Sequence, residues 1–163
     1  MTKPLKKIAF LDRDGVINLK APEHQYIITP ADFQFTPGIF ALLENLAQEG
    51  FEFIVITNQR GIARGLLTED DLTAIHQKMI IGLGARGINL LDIFHCPHQG
   101  GECHCRKPEP GMLAAAAAKY PIDLTRSILV SDSLEDVIMG EQFGLSRSFL
   151  VKSDEPKLNT YDL

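Results

Sequence analysis

The feature that most constrains this chain is a regular alternation of short apolar segments with longer segments of helical character. Residues 8–11 (Ile-Ala-Phe-Leu), 53–57 (Phe-Ile-Val-Ile-Thr) and 127–131 (Ser-Ile-Leu-Val-Ser) lack the polar alternation of a strand with one wet face. Strands of this kind are buried on both faces, as in a parallel sheet. Because helical segments separate them, we expect an α/β fold with helices on both faces of the sheet.

Four helices are predicted, at residues 40–48, 68–83, 112–119 and 135–143. Two further strands are predicted, one ending at residues 93–95 and one at 148–151. Thr68 is the expected N-cap of the second helix, because three acidic residues follow it in the first turn. The pattern therefore predicts a Rossmann-like three-layer αβα sandwich with a mainly parallel sheet and no large cap domain.

The length of 163 residues is that of one ordinary domain. We therefore expect a single domain over residues 1–163, with a poorly ordered polar tail at 153–163. The net charge of −5 and the absence of tryptophan argue against a nucleic-acid partner. The apolar run at 8–11 is too short for a signal peptide or a membrane span, so a cytoplasmic location without a membrane partner is expected.

Polar clusters follow the predicted strands. Asp12 and Asp14 come directly after the first strand, Thr57 closes the second, and Asp132 follows the fourth. Lys107 precedes the alanine-rich helix. Because ligands of such folds bind beyond the carboxyl ends of the strands, we expect these side chains to meet at one edge of the sheet.

Two adjacent carboxylates repel each other, so Asp12 and Asp14 require a proton or a metal ion between them. Magnesium prefers oxygen ligands, and Asp132 would be the next one. One carboxylate could then attack phosphorus while the other acts as acid and base. Thr57 and Lys107 would neutralise the phosphoryl oxygens. Any one of these aspartates alone is more often a turn residue; the hypothesis depends on all of them together.

The segment Asp-Arg-Asp-Gly-Val-Ile-Asn at 12–18 resembles the first motif of the haloacid dehalogenase (HAD) superfamily of phosphohydrolases. Thr57, Lys107 and the pair Asp132 and Asp136 resemble its other three motifs. The resemblance implies that Asp12 is the nucleophile and Asp14 the general acid/base. It also implies that Asp12, the Asp14 carbonyl and Asp132 hold Mg²⁺, with Asp136 supporting them.

A narrower resemblance covers residues 57–65, 96–98 and 105–112, which are similar to heptose 1,7-bisphosphate 7-phosphatases. Histidinol-phosphate phosphatases form the related branch. The resemblance implies that Arg106 recognises substrate and Lys107 steadies the phosphoryl group. The expected substrate-binding residues are Asn58, Gln59, Arg60, Arg106 and Ser133.

The sequence departs from this family pattern at three places. Arg60 stands where the family has serine, and it either adds a cation for the distal phosphate or changes the sugar accepted. Ser131 stands where the family has glycine, with an expected effect on loop stiffness only. Residues 19–26 do not match the family segment that touches substrate.

A second motif, Cys96-x-His98-x4-Cys103-x-Cys105, contains all three cysteines of the chain. Three thiolates and one imidazole suit a closed, tetrahedral structural zinc site, although free buried thiols are the alternative. His95 and His104 are neighbouring candidates for the fourth ligand. The predicted zinc loop, residues 95–106, would deliver Arg106 and Lys107 into the site.

The sequence thus predicts a phosphatase with catalytic Mg²⁺ and structural Zn²⁺, acting on a small phosphorylated metabolite as a monomer. The resemblance implies that the substrate is D-glycero-D-manno-heptose 1,7-bisphosphate. Histidinol phosphate or another small sugar phosphate is one alternative. A non-catalytic module that binds zinc and phosphate is the other.

Overall fold

The computed structural model describes residues 2–152, so the predicted tail at 153–163 lies outside the described residues. Its centre is one five-stranded sheet in the order β3-β2-β1-β4-β5, in which every neighbouring pair is parallel. The strands are β1 (Ile8–Leu11), β2 (Glu52–Asn58), β3 (Leu90–Cys96), β4 (Ile128–Ser131) and β5 (Arg147–Leu150). The predicted parallel α/β sheet is confirmed.

The helices lie in two layers, one on each face of this sheet. They are α1 (Ile39–Gln48), α2 (Glu69–Gly84), α3 (Gly111–Lys119) and α4 (Leu134–Phe143). Ala9 and Leu11 of β1 belong to a core formed with α1 and α2, whereas Ile8 and Phe10 belong to a second core formed with α3 and α4. Successive strand residues point to opposite faces, so a wholly apolar strand supplies both cores. The three-layer αβα architecture is therefore confirmed.

The predicted helices and most of the strands agree with the structure to within one residue at each end. Thr68 caps α2 through reciprocal hydrogen bonds with Asp71, at 3.1 Å to the Asp71 amide and 2.8 Å from the Thr68 amide. β3 begins earlier in the chain than the sequence indicated, at Leu90. It is an edge strand whose residues are mostly half-buried, and Asp92 interrupts the apolar run by which a buried strand is recognised.

The position of β1 fixes the position of the site. β1 pairs with β2 on one side and with β4 on the other, so the strand order reverses there. A crevice forms at such a point, outside the carboxyl ends of the strands. The amide of Asp12 donates to the Val130 carbonyl at 3.0 Å, which places Asp12 at the mouth of this crevice.

No helix in residues 2–152 is both long enough and apolar enough to cross a bilayer.

Candidate active site

Asp12 lies in a buried ion cluster at the end of β1. The Lys107 ammonium is 3.0 Å from Asp12 Oδ1 and 2.7 Å from Asp136 Oδ2, and its side chain is only 4% exposed. Ser131 Oγ donates to Asp136 Oδ2 at 2.7 Å and lies 3.4 Å from Asp12 Oδ2. Ser131 therefore does more than alter loop stiffness, because its hydroxyl links the fourth-motif aspartate to Asp12.

Asp14 is held by four donors from three residues. Arg13 forks onto its Oδ1 atom, Asn18 Nδ2 donates to the same atom at 2.9 Å, and Gln59 Nε2 donates to Oδ2 at 3.0 Å. Gln59 Nε2 also donates to the buried Thr57 hydroxyl at 2.9 Å. Gln59, predicted to bind substrate, thus already uses its amide to fix the predicted acid/base.

Asp132 approaches the Asp12–Asp14 turn from the end of β4. Gly15, at φ +86°, allows this approach, because a Cβ atom there would clash with the Asp132 carboxylate. Within residues 2–152 no donor forms a well-aligned hydrogen bond to the buried Asp132 Oδ2 atom, although the Lys20 ammonium lies 2.7 Å away. A buried carboxylate that faces the Asp12–Asp14 turn offers the oxygen ligands that Mg²⁺ prefers, and the Lys20 ammonium occupies the cationic position beside it.

The electrostatics of the cluster also favour a cation. Burial, reinforced by the Asp136, Asp132 and Asp14 carboxylates, raises the pKa of Asp12 from 3.8 to about 7, although Lys107 opposes the shift. Burial would raise the pKa of Asp14 as well, but the Arg13 charge and three sets of hydrogen bonds lower it overall. The acidic set therefore carries an excess of negative charge that a divalent ion would relieve.

The backbone of Lys107 is held by the side chain of Asn58, the last residue of β2. The Asn58 side chain accepts from the Lys107 amide at 3.0 Å and donates to its carbonyl at 3.1 Å. Gly111, at the start of α3, lies so close to the His104 carbonyl that no side chain would fit between them. The segment that carries Arg106 and Lys107 is thus clamped between the end of β2 and α3.

The same loop brings the predicted zinc ligands together. Donor atoms of Cys96, His98, Cys103 and Cys105 all lie within 4.8 Å of one another, and five of their six separations fall between 2.9 and 3.5 Å. No other set of three or more Cys, His, Asp or Glu side chains in the described part of the chain is as tight. Of the competing histidines, His95 pairs instead with Glu69 at 2.8 Å.

Most of the predicted residues, but not Thr57 and Gln59, line one cavity of about 400 Å³. Its walls include Arg60, Arg106 and Ser133, together with the aspartates and Lys107 of the ion cluster. The Ser133 amide donates to Ser131 Oγ at 3.2 Å. Thr57 is fully buried, and its hydroxyl is engaged by Gln59. A neighbouring cavity of about 420 Å³ extends from Asp14 along residues 20–27.

Two contributors were not predicted from the sequence. Lys20 belongs to the unmatched segment 19–26, and nothing local indicates that it pairs with Asp132. The buried His76 on α2 lies 3.2 Å from the fully buried Arg13 guanidinium, which in turn holds Asp14. A histidine on the apolar face of a predicted helix is the only sequence signal for this contact, and such residues usually have no catalytic connection.

His76 makes a prediction about acid stability. Burial, the Arg13 charge and His95 lower its pKa from 6.5 to about 3, with Asp14 opposing. The unfolded chain therefore takes up a proton at this residue below pH 6.5 that the folded chain does not. The contribution of neutral His76 to the free energy of unfolding is fully present above pH 6.5. It falls by about 1.4 kcal/mol per pH unit as the pH is lowered from 6.5 towards 3.

We expect His76→Gln, which keeps an acceptor for Arg13, to lose this part of the pH dependence. Urea unfolding at several pH values between 7 and 4 measures it. Parallel stability curves for the two proteins would contradict the assignment.

The comparisons with known proteins agree with this geometry. Residues 104–160 match the HAD-hydrolase-like family model. The chain is 43% identical over 158 residues to the D-glycero-alpha-D-manno-heptose-1,7-bisphosphate 7-phosphatase of Photorhabdus laumondii, covering 92% of this chain and 85% of the relative. It is 38% identical over 159 residues to the corresponding beta enzyme of Pasteurella multocida, covering 93% and 85%.

A solved structure is also similar. The D,D-heptose 1.7-bisphosphate phosphatase from B. bronchiseptica, complexed with magnesium and phosphate, matches with a TM-score of 0.81 at 37% identity, covering 88% of this chain and 79% of that one. Identity of this degree over most of both chains, together with the HAD motifs at the carboxyl ends of the strands, establishes the family of the protein. The chain belongs to the HAD-like family of D-glycero-D-manno-heptose-1,7-bisphosphate 7-phosphatases.

Proposed function

We propose that the protein removes the 7-phosphate of D-glycero-D-manno-heptose 1,7-bisphosphate, with Asp12 as nucleophile. The observation that carries the proposal is the buried contact of Lys107 with both Asp12 and Asp136 at the strand ends. A lysine held there neutralises charge on a phosphoryl group that reaches Asp12. The names of the relatives favour heptose over histidinol phosphate.

In the first step an Asp12 carboxylate oxygen attacks phosphorus, and the bond from phosphorus to the ester oxygen breaks. Asp14 gives its proton to the departing alkoxide. The contacts of the resting site hold Asp14 ionised, so it takes up that proton from solvent when the negative phosphate approaches and raises the pKa of Asp14. Asp14 then accepts a proton from water, which attacks the phosphoryl-Asp12 and releases phosphate.

Asp12, the Asp14 backbone carbonyl and Asp132 are the residues that would hold Mg²⁺, whose bound charge would favour ionised Asp12 and offset charge on the phosphoryl oxygens. Asp136 and Ser131 orient Lys107 and Asp12. The Gln59 and Arg13 contacts keep Asp14 aimed into the cavity. Arg106, with a buried Nη1 atom that lacks a partner among the described residues, is suited to bind an anionic part of the substrate.

Phosphate release from both anomers of heptose 1,7-bisphosphate and from histidinol phosphate, with and without Mg²⁺, tests the proposal. The expected result is Mg²⁺-dependent release with the highest kcat/KM on a heptose bisphosphate. Preference for histidinol phosphate would contradict the substrate, and no release from any phosphate ester would contradict the activity.

We further propose that Cys96, His98, Cys103 and Cys105 hold one structural Zn²⁺. Without a metal ion the three thiols do not readily ionise together, because burial and the adjacent thiols raise the pKa of Cys105 to about 12. A dication would allow all three thiols to ionise together. Four protein ligands leave no open position, so this ion would be structural and not catalytic.

Elemental analysis is expected to find one zinc per chain, and chelation is expected to raise hydrogen exchange at residues 96–106 before the sheet opens. Activity should fall in parallel, because this loop carries Arg106 and Lys107. Cys103→Ser should reproduce the effect, while His104→Ala, outside the ligand set, should not. Purified protein without zinc would contradict this account of the loop.

A further inference from the structure

Two of the places where the sequence departs from its family are in direct contact. Arg60, which stands where the family has serine, donates from Nε to the Tyr26 hydroxyl at 3.2 Å. Tyr26 ends the segment 19–26 that does not match the family. The two departures therefore form one structural unit, the Tyr26–Arg60 pair, which connects the loop after β2 to the segment after β1.

The ring of Tyr26 is held in place from the side of the β2 loop. It packs against Gly61, where an added Cβ atom would come within 3.3 Å of the ring and 2.7 Å of Leu67. The Arg64 guanidinium lies 6.0 Å from the ring centroid. A half-buried tyrosine with Gly61 and Arg64 near its ring and its hydroxyl hydrogen-bonded has few rotamers available, so it gives Arg60 a fixed anchor.

The contact with Tyr26 uses Nε and leaves the terminal nitrogens of Arg60 for a ligand. Within residues 2–152, Tyr26 is the only hydrogen-bond partner of the guanidinium. Arg60 lines the cavity that also contains Asp12, Lys107 and Arg106. The two terminal amino groups of a guanidinium match two phosphate oxygens, so the free end of Arg60 is suited to an anion in this cavity.

Lys107 already serves the phosphate that reacts, because it contacts Asp12 itself. Arg60 forms no ion pair with Asp12 and lines the same cavity. A substrate with two phosphates needs a further cationic position for the second one, and Arg60, together with Arg106, supplies it. The α and β anomers differ only in the direction of the phosphate at C1, and a fixed guanidinium can meet one direction better than the other.

We propose that Arg60, positioned by Tyr26, binds the phosphate that is not hydrolysed and determines which anomer of the bisphosphate the enzyme prefers. The inference rests on the proposed heptose bisphosphatase function. Relatives with names that specify the alpha and the beta anomer are similar to this chain to comparable degrees, 43% and 38% identical. Overall similarity therefore does not decide the anomer preference, and residues particular to this chain, such as the Tyr26–Arg60 pair, are where we place it.

The test is kcat/KM for the α anomer, the β anomer and heptose 7-phosphate, which lacks the second phosphate. Arg60→Ser, which installs the family residue, is expected to lower kcat/KM for the preferred anomer by about 10- to 100-fold and for the other anomer by less, so that the ratio of anomers changes. Heptose 7-phosphate should change by less than about twofold, since Arg60 makes no contact that this substrate uses.

Tyr26→Phe keeps the ring and the Arg60 charge but removes the anchor, so the ratio of anomers should shift part of the way. Arg126→Ser, which removes an exposed charge before β4, is the matched control and should leave the ratio unchanged. The inference is overturned if the wild type hydrolyses both anomers equally. It is also overturned if folded Arg60→Ser keeps the wild-type ratio of anomers. The same holds if the variant loses as much activity on heptose 7-phosphate as on the preferred bisphosphate anomer. Failure of the proposed function would be distinct, because the wild type would then release no phosphate from any heptose phosphate.

Discussion

Asp12→Asn is expected to lower kcat by about four orders of magnitude or more while leaving the protein folded. The amide cannot form an acyl phosphate, and no other carboxylate occupies its position: Asp14 is held by Arg13, Asn18 and Gln59, and Asp136 is paired with Lys107. Phosphate release measures the loss. Acid-quenched wild type should carry a phosphoryl group on the peptide containing residue 12, and the variant should not.

The fold should survive because the substitution has offsetting effects. It weakens one contact with Lys107, but it also removes one of four mutually repelling carboxylates from a buried cluster. Thermal unfolding of Asp12→Asn beside Asp70→Asn, which changes an exposed aspartate in the first turn of α2, provides the control. Turnover above about one per cent of wild type in Asp12→Asn would rule out the nucleophile assignment.

Lys107→Met is expected to be the more damaging substitution for the fold. It leaves the Asp12 and Asp136 carboxylates buried without their shared cation, a loss of about 3 to 5 kcal/mol in the free energy of unfolding. Burial lowers the pKa of Lys107, but Asp12 and Asp136 outweigh it and raise the pKa above 10.5, so the ammonium is charged throughout the neutral range. Urea unfolding at pH 7.5 measures the loss.

A second substitution separates charge from packing. If the unpaired carboxylates cause the loss, then Lys107→Met with Asp136→Asn should recover part of the stability but none of the activity. Acidic pH should narrow the gap to wild type, since the unpaired carboxylates then become protonated. Full wild-type stability of Lys107→Met at neutral pH would show that the buried ion cluster is not what holds β1 and β4 to this loop.

The aspartates show what local sequence can predict. An apolar strand followed at once by Asp-x-Asp-Gly can only present those carboxylates at the carboxyl end of a buried strand, and the structure has Asp12 and Asp14 there. The proposed zinc ligands are similar, because four donors within ten residues can meet without help from distant parts of the chain. Which histidine joins the three cysteines was open from the sequence; in the structure His98 lies with them, whereas His95 pairs with Glu69 of α2.

Contacts between distant segments were not accessible in this way. Ser131 lies 3.4 Å from Asp12, Lys20 pairs with Asp132, and Tyr26 anchors Arg60. Residue type and spacing along the chain contain no information on these partners.

The sequence by itself therefore determined the α/β fold, the position of Asp12 and Asp14 at a strand end and the clustering of three cysteines in one loop, because strand burial and short-range spacing depend on local composition. Only the tertiary structure decided which side chains contact one another in the site and in which direction their pKa values shift. Parallel pairing of β1 with both β2 and β4 brings residues more than a hundred positions apart, such as Asp12 and Ser131, into hydrogen-bond range. The energies of such contacts depend on the burial of the groups and the distance between them, and both are defined only once the chain has folded.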